Sequence, residues 1–273
     1  MPHPAPAQPK PVSQQAALVL AHDAVNAEYR HLVLRTDATA AAARPGQFFQ
    51  LLCPAPPGEA PFLRRPMSLY GADAEAGTVE FLYKVTGAGT RGLATLRVGE
   101  RLDILGPLGH GFILNPSWRD IVVVGRGVGL ATLGPLARMA RGMGIGVTAV
   151  LSARRPELML SDELFRQHGA SVLAVHDHDG TSAPAAVEAM LRGLIAQGRC
   201  DAFFTCGSAR LLRLQQGLAR EFGLPGQVAM EQQMACGLGM CFCCVRDFSV
   251  DGKTVHRRVC WDGPVFDMLE AVA

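Results

Sequence analysis

From Ala16 to about Phe112 the apolar residues fall in short runs separated by glycine and proline. AALVLAHDAV, YRHLVLRT, GQFFQLL, TVEFLYKV and ERLDILG are the candidate strands, with turns expected at Pro45-Gly46, Gly71, Gly87 and Gly99. Within TVEFLYKV the period of two puts Val79, Phe81 and Tyr83 on one face. Many short strands at this spacing predict a closed antiparallel barrel.

The pattern changes at Asp120. IVVVGRGVGL is a buried apolar run ending in glycines, and TLGPLARMARGM has a helical period. GVTAVLSA, SVLAVHDHDG and DAFFTCGS read as further strands. SDELFRQHG, PAAVEAMLRGLIAQG and ARLLRLQQGLAREFG read as the helices between and after them. Strand alternating with helix predicts a parallel sheet covered on both faces. From Val228 onward neither period holds, and glycine and cysteine dominate. The expected organisation is α+β and multidomain: a tail over 1–15, an antiparallel barrel over 16–115, an α/β parallel-sheet domain over 116–226, and a small module over 227–273.

A length of 273 residues suits two domains with an appendage. Hydrophobic residues make up 49% and charged residues 18%, the balance of a soluble globular protein. No apolar run is long enough to cross a bilayer, so no membrane association is expected. The opening MPHPAPAQPKPVS lacks the apolar centre of a signal peptide and reads as a disordered tail, which points to the cytoplasm. A formal charge of +2, without a basic stripe, argues against nucleic acid.

Eight cysteines in a chain of this length, without an export signal, do not suggest a disulfide framework. Cys53, Cys200 and Cys206 are scattered, whereas Cys236, Cys241, Cys243, Cys244 and Cys260 crowd the C-terminal region. Cys236, Cys241, Cys244 and Cys260 give C-x4-C-x2-C-x15-C, which matches the plant-type [2Fe–2S] spacing. Gly237 and Gly239 let the loop turn tightly and bring N–H groups towards the sulfurs. Structural zinc is the main competitor, but Cys260 lacks the short-spaced companion that zinc sites commonly use. Cys243 would shift the third ligand to a poorer spacing and reads as a bystander.

Two further segments carry nucleotide chemistry. In Arg64-Arg65-Pro66-Met67-Ser68-Leu69, Arg65 offers a fork for a pyrophosphate, Pro66 stiffens the strand and Ser68 supplies a hydroxyl. In Tyr83-Lys84-Val85-Thr86-Gly87-Ala88-Gly89-Thr90, Gly89 and Thr90 offer N–H and hydroxyl groups to phosphate oxygens. Gly125, Gly127 and Gly129 end an apolar strand at a helix start, as in a dinucleotide turn, although their G-x-G-x-G spacing is not the Rossmann one. His176 and His178 flank Asp177 without an evident third ligand and read as a solvated strand end.

Taken together, PGQF at 45–48, LRRPMSL at 63–69, GAGT at 87–90, LGPLGHGF at 105–112, CGLGMCFCCV at 236–245 and VCWDGPVF at 259–266 resemble one family. It is that of the iron–sulfur electron-transfer subunits of NAD-linked dihydroorotate dehydrogenase, within the ferredoxin-reductase-like flavoproteins. The resemblance implies a six-stranded FAD barrel over 16–115, a nicotinamide-nucleotide domain over 116–226 and a [2Fe–2S] module over 227–273. It implies FAD contacts at Arg65, Pro66, Met67 and Ser68, at Leu82, Tyr83 and Lys84, and at Gly89 and Thr90. It also implies a separate FMN-containing catalytic subunit, two of each chain in the complex, and electrons passing from FMN through the cluster and FAD to NAD in pyrimidine synthesis. No residue of this chain is then required as an acid or base.

Two positions depart from the family pattern: Gly125-Arg126-Gly127 stands where three consecutive glycines are usual, and Thr132 where proline is. The Cys206-Gly207-Ser208 turn resembles the family's Cys-Gly turn beside the nicotinamide. Ser152, Arg154 and Arg155 leave NAD and NADP both open. The competing functions are a reductase subunit of the same architecture with another partner, and a non-catalytic redox sensor.

Overall fold

The computed structural model describes residues 11–272. Most of the expected N-terminal tail lies outside these residues, and the first strand already begins at Ser13, inside the span assigned to the tail.

Seven strands form the N-terminal sheet: β1 (Ser13–Ala24), β2 (Tyr29–Arg35), β3 (Phe48–Leu51), β4 (Arg65–Ser68), β5 (Gly71–Asp73), β6 (Thr78–Lys84) and β7 (Arg101–Leu108). Their order is β4-β3-β7-β1-β2-β6-β5, with β4 and β5 at opposite edges. Those edges are consecutive in the chain. The backbone N–H of Leu69 reaches Gln47 O at 2.9 Å and that of Tyr70 reaches Glu80 O at 2.8 Å. β4 and β5 are therefore halves of one bent strand that pairs with β3 at one end and β6 at the other. Counted so, six strands close the barrel, which removes both exposed edges.

Val79, Phe81 and Tyr83 point into the barrel core with Leu32, Leu34, Phe49, Leu51 and Ile104, as the period of β6 predicts. Gly71 lies within a strand instead of a turn; a methyl there would meet the Glu80 side chain at 2.9 Å. Two short helices were not foreseen: α1 (Ala38–Ala41), capped by Asp37, and α2 (Ala88–Leu93), beginning after Gly87.

The second sheet contains β8 (Asp120–Arg126), β9 (Gly146–Ala153), β10 (Ser171–His176), β11 (Ala202–Cys206) and β12 (Gly226–Ala229), all parallel. Helices α3 (Gly129–Gly142), α4 (Asp162–Gln167), α5 (Pro184–Ala196) and α6 (Ala209–Phe222) connect them. The order β10-β9-β8-β11-β12 reverses direction between β8 and β11. Open sheets of this kind bind ligands at the carboxyl ends of the strands flanking such a reversal.

The C-terminal region is more regular than its composition suggested. β13 (Val245–Val250) and β14 (Lys253–Arg258) form a hairpin through Asp251-Gly252, both at positive φ. After α7 (Val259–Asp262), β15 (Val265–Asp267) adds antiparallel to β12 and completes the six-stranded second sheet. One apolar core joins all three regions, with Phe48 and Leu108 from the barrel, Val122, Phe203 and Val228 from the second sheet, and Phe248 and Phe266 from the C-terminal segment. Among the described residues no helix is long and apolar enough to cross a membrane.

Candidate cofactor sites

Cys236 and Cys241 lie on the irregular loop between β12 and β13, Cys244 just before β13, and Cys260 in α7. Cys244 and Cys260 are buried, Cys236 is half-buried and Cys241 is exposed. Loop geometry turns N–H groups towards sulfur. Leu238 N donates to Cys236 Sγ at 3.3 Å, Gly239 N to Cys260 Sγ at 3.3 Å, and Cys260 N to Cys244 Sγ at 3.4 Å. Gly237 and Gly239 adopt φ of 71° and 76°, and Phe242 adopts 57°, a conformation costly for a bulky residue. Arg258 fastens this strained loop: its Nη1 donates to Gly239 O at 3.1 Å, and its guanidinium lies 5.4 Å from the Phe242 ring centroid.

The Cys241 thiol acts on Cys236, and Cys244 acts on Cys260 more strongly than Cys236 does. Among the described residues no three of them gather within 4.8 Å. A single zinc tetrahedron would bring all four sulfurs to about 3.8 Å from one another. The more open arrangement of the four sulfurs would suit a cluster better than a single zinc ion. Partial burial works to raise the Cys236 thiol, but N–H groups of Leu238, Cys241 and Met240 outweigh it and lower its pKa. Cys260 is pushed up by burial and then by its contact with Cys244. Cys243 faces elsewhere, its thiol directed at Gln233 O at 3.8 Å. The donor set and its N–H groups fit an anionic iron–sulfur group.

The two arginines opening β4 have different surroundings. Arg64 forms a bidentate pair with Asp103, at 3.0 and 2.9 Å, and ties β4 to β7. Arg65 pairs with no carboxylate among the described residues; its Nη1 donates to the carbonyls of Leu63 and Arg64. Its side chain lies over Gly89, where a methyl would come within 2.8 Å of Nε. The two sequence motifs therefore meet in space, and an unpaired guanidinium at their junction fits a pyrophosphate.

Not every residue of these motifs offers its side chain. The Thr90 hydroxyl is engaged by its own turn, accepting from Thr86 N at 2.8 Å and Gly87 N at 3.0 Å and donating to Gly87 O. Only backbone N–H groups of that turn are left to face an anion. Tyr83 points into the barrel, its hydroxyl 2.8 Å from His22 Nε2, while Leu82 packs outward against the second sheet. Pro66, Met67 and Ser68 are half-buried along β4.

At the reversal of the second sheet, the turns after β8 and β11 touch backbone to backbone. A methyl at Gly129 would meet Cys206 O at 2.5 Å, and one at Gly207 would meet Arg126 O at 2.5 Å. Gly127 adopts φ 55°, and Gly125 lets Leu130 and Leu133 of α3 close on the strand. Beside these turns lies a cleft of about 260 Å³, lined by Tyr29 and Lys84 from the barrel and by Arg126, Gly127, Gly207 and Glu231. A second cavity of about 160 Å³ lies beyond Gly207, beside Cys206 and Ser208. Cys206 is raised by burial and then by the Glu231 charge, against a hydrogen bond with Thr132, so Thr132 contacts this strand-end cysteine.

Arg126 does not project freely over the turn. It donates to Ser152 Oγ at 2.9 Å and, through both nitrogens, to Asp177 at 2.9 and 2.5 Å. An ion group missed from the sequence spans the cleft, with Glu28 at 2.7 Å from Lys84 and 2.5 Å from Arg154. Those two cations hold the Glu28 carboxyl below its usual range, Lys84 having the larger influence. No local sequence signal marks the trio, because Glu28 and Lys84 meet across neighbouring barrel strands and Arg154 reaches them from the second sheet. At the end of β10 the structure supplies the third ligand atom absent from the sequence reading: His176, His178 and Asp179 bring theirs within 4.8 Å.

Residues 231–271, which contain all four cysteines, match the family model of the iron-sulfur cluster binding domain of dihydroorotate dehydrogenase B. The chain is 31% identical over 266 residues to the electron transfer subunit of dihydroorotate dehydrogenase B (NAD(+)) of Bacillus cereus strain B4264, covering 96% of this chain and 99% of that one. The corresponding subunit of Desulforamulus reducens is 31% identical over 232 residues, 84% of this chain and 87% of that one. A solved structure of NADH-dependent reduced ferredoxin-NADP oxidoreductase superposes with a TM-score of 0.78 at 26% identity, covering 94% of this chain and 89% of that one. Ferredoxin-NADP+ reductase from Plasmodium falciparum shares the fold, with a TM-score of 0.60 at 9% identity over 77% of this chain and 90% of that one. On the strength of its near-complete match to such subunits, the chain belongs to the family of dihydroorotate dehydrogenase B (NAD(+)) electron transfer subunits.

Proposed function

We propose that this chain is the electron-transfer subunit of a cytoplasmic dihydroorotate-oxidising complex in pyrimidine synthesis, working beside a separate FMN-containing catalytic subunit, two of each. The observation that carries this reading is the near-full-length match to such subunits, with all four cysteines inside the matched cluster domain. Bound [2Fe–2S] and FAD would supply the one-electron and two-electron chemistry that links the partner's FMN to NAD.

The chain's own residues bind and position. Cys236, Cys241, Cys244 and Cys260 would hold the cluster, and Gly237 and Gly239 shape its loop. Arg65 would hold the FAD pyrophosphate, with Pro66, Met67 and Ser68 along one edge and Leu82, the backbone of Tyr83 and Lys84 along the other. Gly89 and the backbone of Thr90 would line its phosphates. Gly125, Gly127 and Gly129 would seat NAD at the sheet reversal. Around the cysteine loop, Leu238, Met240, Phe242 and Trp261 are exposed, Met240 to 79% and Phe242 to 62%. Such an apolar patch supports docking of a protein there.

Dihydroorotate-dependent NAD reduction, assayed with this chain alone, the catalytic subunit alone and both together, tests the reading. Activity is expected only with both; dihydroorotate oxidation by the isolated chain would overturn it. The likeness to NADH-dependent reduced ferredoxin-NADP oxidoreductase supports a second reading, a reductase subunit serving another oxidoreductase. Identification of the protein that co-purifies with this chain separates the two.

A further inference from the structure

Gln50 is the one described residue whose side-chain nitrogen and oxygen are both buried without a hydrogen-bond partner. It is fully buried, on the outer face of β3 beside Phe48, while Phe49 and Leu51 fill the barrel. Its β4 partner in the ladder is Pro66. The carboxamide lies against the cysteine loop: a methyl at Gly237 would come within 2.8 Å of both its Cγ and its Nε2. Gln47, three residues earlier and equally enclosed, shows the contrast. Its Nε2 donates to Gly109 O at 3.0 Å and its Oε1 accepts from Arg44 N at 2.8 Å.

Folded proteins rarely bury an amide with nothing to bond, and such an orphan calls for a missing partner. The loop that Gln50 faces begins at Cys236 and is built to present N–H groups to sulfur. Beyond those backbone donors, the sulfur shell of a loaded cluster offers acceptor capacity at this place. We propose that Gln50 is a positioning residue for the cluster, donating an amide N–H to its sulfur shell from the barrel strand next to the flavin-binding one. The inference rests on the cluster assignment above and adds a specific role for β3. Donors to sulfur favour the more negative, reduced cluster and so raise its potential. Gln50 would then set how readily the cluster accepts an electron, independently of how tightly FAD is held.

The test uses the full chain, purified anaerobically with its cofactors, and the variants Gln50→Met and Gln50→Leu. Both remove the donor and fill the site with different shapes, so a shift common to them reports the hydrogen bond and not packing. Iron, sulfide and FAD contents are measured first, then midpoint potentials, the cluster's by electron paramagnetic resonance and the flavin's by visible absorbance. Both variants should keep parental cofactor contents and lower the cluster's reduction equilibrium roughly tenfold, or about 59 mV for one electron, with the flavin unmoved. An unchanged cluster potential, or a shift in the flavin alone, would overturn the proposal. A parent chain without iron and sulfide would instead remove the cluster assignment on which it depends.

Discussion

Arg126 grips both carboxylate oxygens of Asp177, at 2.9 and 2.5 Å, across the carboxyl ends of β8 and β10. The Arg126 guanidinium, and after it the Ser182 hydroxyl, hold the Asp177 carboxyl well below the ordinary value of 3.8. A carboxyl depressed in the folded state stabilises above its unfolded pKa and loses that contribution only as pH falls through the folded one. Near neutral pH the pair is therefore fully charged on both sides. The bulk that a glycine-to-arginine change brings to this turn is directed sideways, along the strand ends, and is matched by a charge.

Arg126→Gly takes the fork away from Asp177, leaving it Ser182 and the charge of Arg210, beside the cleft proposed above for NAD. Affinity for NADH should fall roughly five- to tenfold, about 1–1.4 kcal/mol, with FAD and cluster content unchanged. Arg126→Gly combined with Asp177→Asn removes both charges and should recover most of the loss. Stopped-flow reduction of the bound flavin by NADH reads both. Flavin reduction that is absent in the parent and present in Arg126→Gly would move the acceptor from nicotinamide to another partner.

The adjacent arginines at the start of β4, Arg64 just before it and Arg65 its first residue, should fail in different ways. Arg65 has no carboxylate partner among the described residues and lies over Gly89, so Arg65→Ala should weaken FAD binding by about 1.5–3 kcal/mol, the range for charge-assisted bonds. Arg64 is tied to Asp103 of β7. Arg64→Ala should lower the melting temperature and leave the flavin that remains folded in place. Gel filtration with absorbance at the flavin band, beside thermal unfolding, separates the outcomes. Full FAD retention in Arg65→Ala would put the pyrophosphate elsewhere.

Much of this was readable before the structure because the signals were local. β9 runs over Gly146–Ala153, the span its apolar run predicted, and β6 buries the three residues its alternation named. What escaped depended on distance. The closure of the barrel rests on one strand bent at Leu69 and Tyr70 so that its halves pair with opposite edges, and neither four-residue nor three-residue half has a period of its own. Asp251-Gly252 was a hairpin signal in plain view, overshadowed by the cysteines before it. Gln50 sits in an apolar run, and only the neighbouring loop reveals that its amide has no partner. At the candidate site, residue types were legible, but which of Arg64 and Arg65 was already paired was not.

Cys243 and Cys244 are neighbours with opposite environments. Cys244 is 2% exposed and approaches Cys260, whereas Cys243 is exposed and faces Gln233 O. Cys243→Ser should retain the reduced cluster's paramagnetic signal and its iron, while Cys244→Ser should lose or alter the signal. The reverse pattern would assign the third thiolate to Cys243.

Arg258 contacts the cysteine loop without supplying a sulfur. It reaches Gly239 O, covers the Phe242 ring and is held by Asp262, whose Oδ1 lies 3.2 Å from its Nη2. Phe242 is at positive φ, a strain of about 1–3 kcal/mol for a non-glycine residue. A partly exposed cation–π contact returns only about 0.5–1 kcal/mol, so the hydrogen bond to Gly239 must share in holding the turn. Arg258→Ala removes both and should leave the loop able to open without unfolding the chain, since the hairpin keeps its backbone pairing. Cluster bleaching by a chelator under anaerobic conditions should then accelerate several-fold, with FAD content and melting temperature close to the parent's. Arg258→Lys keeps the charge but not the planar fork, and should lie between the two. Equal bleaching rates in all three proteins would show that the loop is held by the thiolates alone.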